Sequence, residues 1–520
     1  MIPFDASGAF CPKAGSHELR RLAVRGAAAS VSASGLSLAA QVISTVILAR
    51  LLTPSDFGVV TMATTFSLLV ASFGLNGFTE AVIHVEEIDH YTASNLFWFN
   101  SGAGLILAIA FAAAGSLLVR LYGNPLVANV VFGLSVGIFI AAVSVIHLAL
   151  LKRAMRFAAT STNDVVGRVA NTAVAILLAL RGYGYWALVA GIVVQQLSVT
   201  VGALCLCRWI PSLPRRTGKT GAMVRYAVKV YGQFSAAYST LNVDNLLVGW
   251  RFNAVALGFY KKAFDLFALS ASQLTGPLNN VALAALSRLK KDHVRFRRYL
   301  ANSLGMIAFA GMAMSADLTL VGKDVVRLVL GPKWSEAGRI FGLFGPGIGV
   351  MLLSWTVGWI HLSIGKPERW LRWSLFQLAA TASLFLLALR WGPEGVAAAW
   401  SISFWTLLIP GFWYAGRPIG FGVSDLLAAI WRYAAAALAA GLATAAIMRG
   451  TSFWDGPSST GAALAAAVII STLFVTIYVG TIILFHWGLA PLHQLASLLR
   501  ELAPARKDTR PAVEAVGACK

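Results

Sequence analysis

The sequence predicts an all-α polytopic membrane protein of about fourteen transmembrane helices: two pseudo-repeated six-helix lobes around a central cavity, plus two extra C-terminal helices. Three observations predict it. Of 520 residues, 58% are hydrophobic and 12% charged, with a mean hydropathy of +0.72, whereas soluble domains carry roughly 25% charged residues. Apolar stretches long enough to cross a bilayer, about 20 residues each, recur along the chain with short polar connections. Short segments of the first half also return in the second half in one register.

The stretches fall at 28–49, 57–84, 94–119, 126–151, 163–181, 184–208 and 226–251, then at 256–286, 300–321, 337–364, 370–390, 394–415, 428–448 and 461–487. The first follows Lys13, Arg20, Arg21 and Arg25 and has no small-residue cleavage site after a short apolar core, so it reads as an uncleaved helix. The expected organisation is a cytoplasmic amphipathic N-terminus (1–27), an N-lobe (28–209), a cytoplasmic linker (210–225), a C-lobe (226–416), two further helices (417–490) and a cytoplasmic tail (491–520). Pro211, Pro214, Gly218 and Gly221 mark the linker as the longest connection between spans. None of the connections has room for a soluble catalytic domain.

The net charge of +21 is spread over short loops rather than gathered into a nucleic-acid footprint. Lys and Arg resist translocation and stay cytoplasmic. One set of alternate loops holds Lys152/Arg153/Arg156, Arg208 to Arg225, Arg288 to Arg298, Lys366/Arg369/Arg372 and the tail with Arg506, Lys507 and Arg510. The opposite set carries mostly single charges such as Arg120, Arg181, Arg390 and Arg449, with Lys323, Arg327 and Lys333 as a richer loop. Both termini are therefore expected in the cytoplasm. Cys11, Cys205, Cys207 and Cys519 form no disulfide or metal pattern. The sequence has no P-loop, H-E-x-x-H or G-x-S-x-G, so neither ATP hydrolysis nor enzyme chemistry is expected, and no cofactor.

The internal repeat has three parts. LLALR occurs at 177–181 and at 386–390; LVRLYGNP from Leu118 aligns with VVRLVLGPKW from Val325; and the Arg50 to Gly58 turn aligns with the Arg251 to Gly258 turn. Six spans per half is an even number, so the halves enter the membrane in the same sense and are related by an axis along its normal. The last two spans lie outside the repeat, almost without ionisable residues, as expected of helices packed against the exterior of a transport core.

Helix interruptions at matching places in two halves point to a transporter site, because they free backbone groups to line a cavity. Gly74 and Gly77 in the second span, Gly276 and Pro277 in the eighth, Pro346 within Gly345-Pro346-Gly347, and Pro410 are the hinge candidates. The competing reading is close helix packing at small residues.

Intramembrane charges are more telling, since each costs about 2.5–3.5 kcal/mol on insertion scales and usually faces a cavity. Arg168, Lys229, Arg251, Lys261 and Lys262 are the candidates for a cationic cavity that neutralises a diphosphate headgroup. Glu80, Asp244 and Asp265 are the candidates for coupling to protons or sodium. The bland alternative pairs Asp265 with Lys261 or Lys262 on one helix face and lets Arg50 and Arg251 snorkel at helix ends. His84, His147 and His361 stand singly and take no assigned role.

ILARLLTPSDFGVVTMATTF from Ile47 resembles the early segment of bacterial polysaccharide transporters of the multidrug/oligosaccharidyl-lipid/polysaccharide exporter superfamily. NVDNLLVGWRFNAVALGFYKKAFDL from Asn242 and PLNNVALAALSRLKKD from Pro277 look like that family's eighth-helix region and the loop after it. The resemblance runs from about residue 20 to residue 420. It implies an inner-membrane flippase for undecaprenyl-diphosphate-linked oligosaccharide units in exopolysaccharide, capsule or lipopolysaccharide biosynthesis, working by alternating access. The partners it implies are the lipid-diphosphate-linked oligosaccharide, membrane lipids, a polysaccharide polymerase and an initiating glycosyltransferase. Family members commonly carry Arg where Lys262 stands; an ammonium keeps the charge and loses the two-pronged phosphate geometry.

Three other readings compete. A cation-coupled multidrug exporter of the same superfamily favours acidic and aromatic residues for organic cations, against the cationic set found here. A glycosyltransferase, polymerase or ligase needs a sizeable extracytoplasmic loop. A non-transporting scaffold of the assembly complex leaves the intramembrane charges without a use.

Overall fold

A computed structural model describes residues 1–5, 7–11, 16–215, 220–450 and 460–488. Lys13, Arg216, Gly218, Lys219 and the expected tail 491–520 lie outside the described residues. The first half comprises α1 (Ser16–Leu51), α2 (Pro54–Ser72), a π-helical turn (Phe73–Phe78), α3 (Thr79–His84), α4 (His90–Ala113), α5 (Gly115–Tyr122), α6 (Leu126–Arg153), α7 (Phe157–Leu180) and α8 (Tyr185–Leu206). The second continues with α9 (Thr220–Thr240), α10 (Val243–Arg251), α11 (Ala254–Leu289), α12 (His293–Leu330), α13 (Ser335–Phe344), α14 (Ile348–Trp355) and α15 (Val357–Ser363). It closes with α16 (Pro367–Ala388), α17 (Gly392–Gly416), α18 (Val423–Gly450) and α19 (Thr460–His486). The described residues contain no β-strand, only isolated bridges at Phe4–Phe10 and Ala9–Asp89.

Helices dominate because a bilayer offers backbone N–H and C=O groups no water, so each segment satisfies its own. Among the described residues, 11 helical segments are long and apolar enough to cross a membrane by length and composition. The expected count of about fourteen differs from this for two physical reasons. Glu368–Ile419 is one 52-residue segment that contains both α16 and α17. The column α9–α10 and the long α11 carry Arg225, Lys229, Asp244, Lys261, Lys262 and Asp265, and these lower their hydropathy. The chain is a multi-pass membrane protein, and large apolar side chains such as Ile106, Leu180 and Leu438 stand exposed on its flanks.

Helices α1, α2, α4, α6, α7 and α8 pack on one another, as do α10 to α17. The two groups meet chiefly along α2 and α11. Helices α18 and α19 pack against each other and against α12, the peripheral position expected of spans with few ionisable residues.

The hinge candidates divide into two kinds. Gly74 and Gly77 lie in the π-helical turn, and Pro346 lies in a 3₁₀ turn, Gly345–Gly347, between α13 and α14. Around Gly276–Pro277 and Pro410, by contrast, α11 and α17 continue as α-helix. The expected interruptions are not made there: a proline removes a single backbone bond, and neighbouring turns in apolar surroundings keep theirs.

Candidate functional site

The junction between the two halves is built from repeat-related helix starts. Helix α2 opens on a capping box, in which Thr53 Oγ1 accepts the Asp56 N–H and the Asp56 carboxylate accepts the Thr53 N–H, with Pro54 in the first turn. Helix α11 opens on Asn253, whose Oδ1 accepts the Ala256 N–H at 2.9 Å. One turn into each helix stands a glycine. A Cβ on Gly58 would lie 1.7 Å from the Ala254 carbonyl oxygen, and a Cβ on Gly258 would lie 1.8 Å from the Pro54 carbonyl oxygen. The first turns therefore cross reciprocally, backbone against backbone, and only glycine permits that approach.

A second contact closes the same end. The last carbonyls of a helix have no partner within it, and those of α1 are taken by the loop after α12. Lys333 Nζ donates to the Arg50 and Leu52 carbonyls, both at 2.7 Å, and Trp334 Nε1 donates to the Ala49 carbonyl at 2.8 Å. The Trp334 ring packs edge-on against Phe57 of α2 and Phe259 of α11, with centroids 5.5 and 5.8 Å apart. Arg50, expected to snorkel, instead donates to the Leu328 carbonyl at 3.1 Å.

One turn inward lie the charges. Lys262 Nζ sits 4.0 Å from the centroid of the Phe57 ring, a cation–π contact from one half to the other. Lys261 pairs with Asp265 at 2.8 Å and Lys262 approaches the same carboxylate at 3.9 Å, so the pairing within one helix is present, and two ammonium groups share one carboxylate. Asp244 is fully buried. Its Oδ2 accepts from Tyr260 Oη and Trp400 Nε1, each at 2.8 Å, and its Oδ1 accepts the Asn245 N–H. Three donors hold this carboxylate in place, as a buried charge requires.

The other candidates lie elsewhere. Arg168 on α7 is half-buried and donates to Gln41 of α1 at 3.3 Å. Lys229 on α9 is exposed and has no ion pair or hydrogen bond among the described residues. Arg251 is exposed at the end of α10, its guanidinium 5.9 Å from the neighbouring Phe252 ring. Glu80 pairs with His84 on α3 at 3.2 Å, both largely exposed. The structure thus brings together Asp244, Lys261, Lys262 and Asp265, and joins them by no ion pair or hydrogen bond to Arg168, Lys229 or Glu80 among the described residues. Sequence reasoning passed over Phe57, Tyr260, Trp400, Lys333 and Trp334. The repeat held a signal for three of them, since Phe57 lies in the Arg50 to Gly58 turn and Lys333 and Trp334 end the second-half match.

Comparison with known proteins bears on this geometry. The family described as "Polysaccharide biosynthesis protein" matches residues 47–339, which include both repeat-related helix starts. The "Succinoglycan biosynthesis transport protein ExoT" of Rhizobium meliloti (strain 1021) is 23% identical over 335 residues, 64% of this chain and 68% of that protein. The "Lipopolysaccharide biosynthesis protein WzxC" of Escherichia coli (strain K12) is 20% identical over 357 residues, 67% of this chain and 69% of that protein. Among solved structures, "Lipid II flippase MurJ, inward closed conformation" superposes with a TM-score of 0.69 at 16% identity, covering 88% of this chain and 98% of that one. At that identity the likeness shows a shared fold.

Proposed function

The chain belongs to the polysaccharide biosynthesis protein family, and from that premise we propose that it is a flippase for undecaprenyl-diphosphate-linked oligosaccharide units, supplying exopolysaccharide, capsule or lipopolysaccharide assembly. It acts as a transporter and not as an enzyme. It sits in the bacterial inner membrane with both termini in the cytoplasm, a polarity supported by the Lys- and Arg-rich alternate loops. The lobes are 28–209 and 226–416, and a polymerase and an initiating glycosyltransferase are its partners in the pathway.

One observation carries the reading: the reciprocal glycine crossing of α2 and α11, with Lys261 and Lys262 one turn inward. On the assigned polarity this crossing closes the extracytoplasmic end. Alternating access needs such an end, because a lipid-linked oligosaccharide enters from one side only while the other is shut. The lysines beneath it meet the diphosphate, since cations out of water bind phosphate oxygens strongly. Arg168, Lys229 and Arg251 extend the cationic lining along the path, and Gly74, Gly77 and Pro346, which lie where the helices are irregular, absorb the rocking of the lobes.

Asp244 is the coupling group of this proposal, with Asp265 holding the lysines in register and Glu80 as a further acidic group on the path. With Asp244 ionised, two carboxylates balance two ammonium groups. With it protonated, one positive charge is left for the diphosphate. Proton uptake therefore raises affinity for the cargo headgroup.

The test is polymer output and the leaflet location of lipid-linked units in cells lacking the gene, with and without its restoration. Intact units trapped on the cytoplasmic leaflet with loss of polymer are the expected result. Units exposed on the outer face would assign the chain to polymerisation or ligation, and unchanged polymer would return it to drug export.

A further inference from the structure

A cationic cavity lies away from the α2–α11 junction, along the seam where α18 meets α12. At the end where α12 and α18 begin, Arg298, Asn302, Arg432 and His486 line a cavity of about 470 Å³, together with Arg297 and Asp425. Farther along the same two helices, Ala316, Leu320, Leu438 and Leu442 line a groove of about 460 Å³, bounded on its other side by Pro346 and Trp405 of the C-terminal half. A charged mouth and an apolar groove thus follow one another along one seam.

The charges in the mouth are not equivalent. Arg297 is already engaged, donating from Nη1 to the Gly420 carbonyl at 3.0 Å and from Nε to the His293 carbonyl at 3.3 Å. Asp425 accepts the Gly422 N–H at 2.9 Å. Arg298 and Arg432 are exposed and have no ion pair or hydrogen bond among the described residues, Arg432 lying 5.6 Å from the Trp431 ring centroid. His486 Nδ1 approaches the Ile482 carbonyl at 3.1 Å, which leaves Nε2 for a ligand. Two unengaged guanidinium groups, an amide and an imidazole suit a phosphate oxygen set. Exposed Trp431 beside Arg432 is the pairing found at a membrane–water interface.

We propose that this seam holds one anionic membrane phospholipid, its phosphate against Arg298 and Arg432 and one acyl chain in the groove. The dimensions favour a lipid of one leaflet. The groove follows α18 from Ala434 to Ala445, about 16 Å at 1.5 Å per residue, close to half of a ~30 Å hydrocarbon core. The position favours a resident lipid over transported cargo, because among the described residues none of α2 or α11 lines either the charged cavity or the groove.

The test is native mass spectrometry of the purified full chain in detergent, titrated with phosphatidylglycerol and with phosphatidylcholine of the same chains. Phosphatidylglycerol is expected to bind more tightly, and the double variant Arg298→Gln/Arg432→Gln to lose that preference by about 25-fold, taking each arginine at roughly fivefold. Gly441→Leu, which projects into the groove beside Ala316, is expected to weaken both lipids alike. Equal binding of the two lipids, or an unchanged preference in the double variant, overturns the proposal. So does displacement by millimolar inorganic phosphate, which would make the mouth a simple anion site, or by undecaprenyl diphosphate at lower concentration, which would make the seam part of the cargo path.

Discussion

A single methyl group added at Gly58 or Gly258 is expected to open the sealed end of the junction. In Gly58→Ala the new carbon would stand 1.7 Å from the Ala254 carbonyl oxygen, whereas ordinary contact begins at 3.4 Å, so the two first turns must part by about 1.7 Å. Overpacking of this kind costs about 1–3 kcal/mol. The cost falls on the closed arrangement alone, so the open-to-closed ratio should rise about 5- to 150-fold. Gly258→Ala meets the Pro54 carbonyl at 1.8 Å and should shift the ratio equally. The double variant should add little, because turns already parted by the first methyl accommodate the second. Spin labels at exposed Leu51 and Val255, in a background without Cys11, Cys205, Cys207 and Cys519, report the separation by pulsed dipolar spectroscopy. Gly102→Ala, with nothing within 4 Å of the added carbon, is the control. Distance distributions matching that control in both variants would refute the reasoning.

Lys333→Ala withdraws a charged donor from the Arg50 and Leu52 carbonyls, bonds worth about 1.5–3 kcal/mol each, and should move the same spin-label distance in the same direction. Lys262→Ala should lower transport several-fold with membrane insertion intact, while Lys262→Arg, which keeps the cation over Phe57, should retain most of it; transport is read as polymer output. Arg251→Ala, at an exposed helix end, should lower transport less than Lys262→Ala in the same assay. Asp244→Asn keeps the shape beside Tyr260 and Trp400 but fixes the charge, so transport in vesicles should lose its dependence on external pH; a retained pH profile would remove Asp244 from coupling.

The legible part of the site was the part with a local signature. Asp265 with Lys261 and Lys262 could be read from spacing, because residues three and four apart share a helix face, and the structure has those pairs. Gly74 and Gly77 were visible because glycine weakens a helix wherever it stands, and a π-helical turn lies there. Pro277 and Pro410 misled as interruptions for the converse reason: a local preference against helix yields when surrounding turns hold their hydrogen bonds. Arg168 and Lys229 stand with the lysines, and Glu80 with Asp244 and Asp265, by residue type within an apolar span, and type carries no information about which helix face meets which neighbour. Trp400 reaches Asp244 across 156 positions of chain, and no periodicity encodes such a pair.

The sequence by itself determined that the chain is a helical membrane protein with an internal repeat, because hydropathy acts on each segment separately and a bilayer admits few alternatives. It also marked the paired turns, Arg50 to Gly58 and Arg251 to Gly258, as equivalent. Only the tertiary structure decided that those turns cross each other, that Phe57 of one half meets Lys262 of the other, and that Lys333 and Trp334 take the open carbonyls of α1. The physical reason is distance along the chain: composition and period act within a few turns, whereas a carbonyl packed on a glycine some 200 residues away is selected by the shape of the whole bundle.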